Sequence, residues 1–96
     1  MSGPVDLVDR GEIAWRCWPG ETVVYQMRTG AVHHLEGLPA AVFAELAEGG
    51  ARTAEALTAW LADAADLPPP QVAPSLAASL ETLSRCQLIV PPPPSP

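Results

Sequence analysis

The sequence predicts an α+β domain. Three observations carry that prediction. The hydrophobic pattern has a period of two up to about residue 35 and a helical period after it. Turn residues cut the early part into three short segments. The order is strands first and helices second, which is the arrangement of segregated α+β folds. With 96 residues the chain has room for one such domain and one core.

Residues 1–10 hold Ser, Gly, Pro and charged side chains and read as a loose arm. Glu12–Trp18 reads as the first strand, with Ile13, Trp15 and Cys17 on one face and Ala14, Arg16 and Trp18 on the other. The two tryptophans therefore cannot be equally buried, and one is a candidate anchor at an interface. Pro19-Gly20-Glu21 is a turn. Thr22–Met27 is a second strand rich in β-branched and aromatic residues. Arg28-Thr29-Gly30 turns the chain again, and Ala31–Leu35 is the third strand.

Pro39 suits the first turn of a helix, where its missing N–H costs nothing. Leu38, Val42, Phe43 and Leu46 fall on one face of that helix, and Gly49-Gly50 ends it. Thr53 caps a second helix with Leu57, Trp60 and Leu61 on its apolar side. After the rigid Leu67-Pro68-Pro69-Pro70 connector, a third helix runs from about Pro70 to Cys86. Its stripe is Val72, Leu76, Leu80 and Leu83. Leu88-Ile89-Val90 closes the core. Residues 91–96 form a proline-rich tail expected to be extended and disordered. The domain proper is thus 11–90.

Charge weighs against one class of function. The formal net charge is −6, there is no lysine, and the five arginines (Arg10, Arg16, Arg28, Arg52, Arg85) form no cluster. A nucleic-acid binder needs a basic surface to neutralise phosphates. The third helix offers only Arg85, at its far end, beside Glu81. No signal peptide and no membrane-spanning run are visible, so a cytoplasmic location is expected, with Cys17 and Cys86 reduced.

Catalytic chemistry is not encoded in any recognisable pattern. His33 and His34 are neighbours on a strand and point to opposite faces, so they cannot easily share a metal. No C-x-x-C or H-x-x-x-H spacing is present, and no phosphate-binding glycine loop. Cys17 and Cys86 read as small buried hydrophobes rather than nucleophiles. The expectation is a protein that is not an enzyme and needs no metal or cofactor.

The string Trp15-Arg16-Cys17-Trp18-Pro19-Gly20-Glu21-Thr22-Val23-Val24-Tyr25, followed by Thr29-Gly30-Ala31-Val32-His33-His34-Leu35, resembles the PqqD family of peptide chaperones, the RiPP recognition elements. Val42-Phe43-Ala44-Glu45-Leu46 and the terminal Leu88-Ile89-Val90 extend the likeness over about Gly11 to Val90. The branch it resembles most is the one encoded beside a kinase-like protein related to HPr kinase, the HPr-rel-A system.

This resemblance implies a winged-helix-like fold, a three-stranded antiparallel sheet followed by three helices. It implies a non-catalytic adaptor that takes the leader segment of a ribosomally made precursor peptide as an added strand. The adaptor then presents that segment to a modifying enzyme or to the HPr-kinase-related protein. The implied peptide contacts are Val32, His33, His34 and Leu35 on the strand edge, and Val72, Leu76, Ser79, Leu80 and Leu83 on the third helix. Strand addition is physically apt, because an edge strand offers unpaired N–H and C=O groups. The same edge could pair with a second copy to give a homodimer. Two other readings remain: a scaffold subunit for the kinase-like partner with no affinity for free peptide, and a winged-helix nucleic-acid binder.

Overall fold

The computed structural model describes residues 4–8 and 10–90. In chain order the elements are β1 (Asp6–Leu7), a 3-10 turn (Arg10–Glu12), β2 (Ile13–Trp18), β3 (Glu21–Gln26) and β4 (Val32–Glu36), then α1 (Leu38–Gly49), α2 (Ala54–Ala65), α3 (Pro69–Arg85) and β5 (Ile89–Val90). The chain is α+β, as the change of period predicts.

β2, β3 and β4 form an antiparallel meander with β3 in the centre. Both connecting turns need a residue at positive φ, and Gly20 (81°) and Gly30 (76°) supply it without steric cost. Alternation then sorts the side chains. Ile13, Thr22, Val24 and Leu35 are buried on the inner face. Ala14, Arg16, Trp18, Tyr25, Val32, His34 and Glu36 are exposed on the outer one. The tryptophans are resolved accordingly. Trp15 meets buried Phe43 edge to face, with ring centroids 5.7 Å apart, while Trp18 remains 47% exposed.

α1 covers the inner face, and α3 packs against both α1 and α2. Val42, Phe43 and Leu46 of α1 and Leu57 of α2 are fully buried, each such side chain contributing roughly 1.5–3 kcal/mol. The Thr53 hydroxyl accepts the Ala56 N–H at 3.0 Å, the capping bond expected of it. α3 carries Pro74 in its second turn, on an exposed face, where the ring has no N–H to offer the preceding turn. α3 ends when Gln87 takes a left-handed φ of 59°. Leu88 N–H then reaches the Leu83 carbonyl at 3.0 Å and Gln87 N–H the Ser84 carbonyl at 2.9 Å. That pair of bonds satisfies carbonyls the helix end leaves open, and it turns Leu88 into the core beside Leu83.

Two expectations are corrected. Residues 5–8, read as part of a loose arm, are packed. β1 pairs antiparallel with β5, Asp6 opposite Val90 and Leu7 opposite Ile89. Val5 exchanges backbone hydrogen bonds with Arg52 at 2.7 and 2.9 Å, and Val5 and Leu7 both join the core. These residues are apolar at alternate positions, and their partners lie far along the chain. The second correction is Cys17, which is exposed rather than buried. It lies at the end of β2, and Ile13 and Trp15 take the covered inner positions of that strand. The expected disorder of the tail, 91–96, falls outside the described residues.

Candidate peptide-binding site

The backbone of β4 defines the site. In an antiparallel pair, directly opposed residues alternate between exchanging hydrogen bonds and turning those groups away. Gln26 N–H donates to the Ala31 carbonyl at 2.8 Å, and Gly37 N–H to the Gly20 carbonyl at 3.0 Å. These two bonds fix the phase of the ladder. The bonded pairs between them are Val24 with His33 and Thr22 with Leu35. Val32, His34 and Glu36 therefore point their N–H and C=O groups away from β3, along an edge that no strand among the described residues covers. β2 has the other edge that no strand among the described residues covers, and there the backbone groups of Ile13, Trp15 and Cys17 point away from β3.

The side chains along β4 divide by face. Val32 is 63% exposed, and His34 lies between two carboxylates, 3.7 Å from Glu21 Oε2 and 3.6 Å from Glu36 Oε1. Leu35 is core. His33 is half-buried, with Nε2 2.9 Å from Gln26 Oε1. The other end of that amide, Nε2, donates to the Gln87 carbonyl at 3.1 Å. Because a carbonyl can only accept, the amide oxygen must face His33, and His33 Nε2 must carry the proton. Gln26 thus links the candidate peptide strand, through β3, to the end of α3.

On α3 the structure places the implied contacts differently from an open groove wall. Val72, Leu76, Ser79 and Leu83 are all buried, and Leu76 and Leu83 belong to the central core cluster. All four side chains face the interior. Leu80 is partly buried and lines a recess with Val5, Ala77, Ser84 and Ile89, on the flank of α3 that faces β1 and β5. A second recess, of about 360 Å³, lies between the β2–β3 sheet end and the C-terminus of α3, lined by Val8, Ile13, Gln26, Arg28, Ser84, Gln87 and Ile89 among others. Sequence reasoning did not single out Gln26. Its only signal was a polar residue at an inward-facing position of β3.

Among the described residues no group of three or more His, Cys, Asp or Glu gathers as a metal site, and no helix is long and apolar enough to cross a membrane.

No family model matches the sequence, and no curated protein matches it. A solved structure does: that of TbiB1 in complex with the TbiA(beta) leader peptide, with a TM-score of 0.71 over 88% of this chain and 93% of that one. The sequences are 19% identical, so what the likeness establishes is the fold. This chain is a small α+β domain with an open strand edge. Its particular fold is the one TbiB1 has.

Proposed function

We propose that the chain is a peptide-binding adaptor that captures the leader segment of a ribosomally made precursor by adding it as a strand to β4. The observation that carries this reading is the phase of the ladder. Val32, His34 and Glu36 present three consecutive outward sets of backbone donors and acceptors, which an extended peptide can satisfy. The shared fold with TbiB1, a protein seen with a leader peptide bound, supports the same reading.

Backbone pairing gives affinity with little demand on sequence, and side chains beside the edge supply selection. Val32, His33 and His34 are available for that, while Leu35 supports the strand from beneath. The Val72, Leu76, Ser79 and Leu83 positions are buried where α3 packs with α1 and α2, and they contact peptide only if α3 shifts on binding. The adaptor brings its cargo to a modifying enzyme or an HPr-kinase-related protein and supplies no chemistry of its own. A second copy pairing through β4 is the competing occupant of the same edge.

The test is titration of the protein with peptides spanning the precursor encoded beside it, followed by amide chemical shifts. Saturable shifts centred on Val32–Glu36 are expected. A folded protein that shows no shift there with any of the peptides would remove the leader-binding reading.

A further inference from the structure

The register of the sheet arranges its outer face in three rows that run across the strands. The first is Ala14, Tyr25, Val32; the second is Arg16, Val23, His34; the third is Trp18, Glu21, Glu36. Each row ends at β4, so each is continued by one side chain of any strand that adds there. The first row is wholly apolar where it meets the edge. The third sets Glu21 directly opposite Glu36.

Like charges in directly opposed positions of a sheet repel. Here the carboxylates have little to offset them. The chain has no lysine. Arg16 stands in the neighbouring row. The nearest basic group is His34, 3.7 and 3.6 Å from the two carboxylates, an imidazole that is charged only when protonated. Glu36 is the outermost of the pair, and its side chain is 72% exposed on the edge.

We infer that the β4 edge selects a strand with an apolar residue opposite Val32 and a Lys or Arg opposite Glu36. The inference rests on strand addition as proposed above and names the class of peptide it admits. The two positions lie four residues apart in the peptide and share one face, since strand side chains alternate with period two. The apolar side chain continues the Tyr25–Val32 row and covers a valine otherwise left in water. The cation lies beside Glu36 and within the field of Glu21. The residue between them on that face lies opposite His34, at the end of the row that holds Val23 and Arg16.

Yeast-displayed libraries of random nine-residue peptides, selected against the protein and against its Glu36→Lys variant, test this. Glu36 is exposed, so the variant is expected to fold, and its amide spectrum verifies that. The native protein should enrich peptides with Lys or Arg four positions from an apolar residue, and the variant should enrich Asp or Glu at that position. Peptides selected on the native protein should bind the variant about five- to tenfold more weakly at low salt, with the gap narrowing near 1 M salt. Identical selections on both proteins, by peptides that shift the Val32–Glu36 amides, would overturn the charge preference and leave strand addition standing. Selected peptides that never shift those amides would overturn both.

Discussion

Gln26 and His33 sit diagonally across the β3–β4 pair on its inner face, and the bond between them fixes the histidine tautomer. Because the Gln26 amide also donates to the Gln87 carbonyl, one side chain joins the candidate peptide strand to the end of α3. Replacing Gln26 with Leu removes both bonds at once. The expected loss is about 1 kcal/mol of unfolding free energy, as for a partly exposed side-chain hydrogen bond. Urea denaturation measures it. Nitrogen shifts of His33 should report a proton on Nε2 in the native chain and a mixture of tautomers in the variant.

Two prolines separate binding from folding on the same strand. His34 turns its N–H to the open edge, so His34→Pro leaves the ladder to β3 intact, as edge strands permit. His33→Pro removes a donor paired with Val24. His34→Pro should lower peptide affinity at least about tenfold, since it deletes a backbone bond and its geometry, while melting within a few degrees of His34→Ala. His33→Pro should be the less stable of the two. Melting curves together with peptide titration check the pair, and His34→Ala controls for the lost imidazole.

Trp15 and Trp18 are three residues apart and should respond in opposite ways. Trp15 packs on Phe43 and Trp18 is nearly half exposed. Phe43→Ala should destabilise by about 3–5 kcal/mol and shift Trp15 fluorescence to the red. Trp18→Ala should change stability by no more than about 0.5 kcal/mol.

Gln87 holds a left-handed conformation that side chains with a Cβ adopt at a cost. Only its carbonyl and N–H are used, in the bonds to Gln26 and Ser84. Gln87→Gly should therefore raise stability by about 0.5–1 kcal/mol, read from the urea midpoint, with the Gln26 bond retained.

The N-terminal strand carries core weight. Leu7→Ala should cost about 2–4 kcal/mol, as for other buried leucines. A loose arm would show no change in the same urea titration.

The strands and helices of the domain were readable because each has its own period and its own punctuation. Gly20 and Gly30 mark the turns, Thr53 marks a cap, and the Val72–Leu83 spacing marks a helix face. Periodicity shows which residues share a face but not what that face meets. The α3 stripe was legible as apolar, and only packing shows that Val72, Leu76 and Leu83 are core while Leu80 sits on the rim. β1 was missed because two residues are too few to show a period, and its partner β5 is at the other end of the chain. The open edge at Val32–Leu35 was expected from the resemblance. Which of its residues turn their backbones outward depends on the phase of hydrogen bonding, which the amino-acid sequence does not express.

The pairing of β1 with β5 has a topological consequence. With Asp6 opposite Val90, the ends of the described chain leave the domain side by side, so the backbone is nearly a closed ring. A short bridge between them would complete it, and the chain could then be opened at the exposed Arg28–Gly30 turn without losing an element. A protein joined at residue 4 and one joined at residue 90 would leave the domain from the same side.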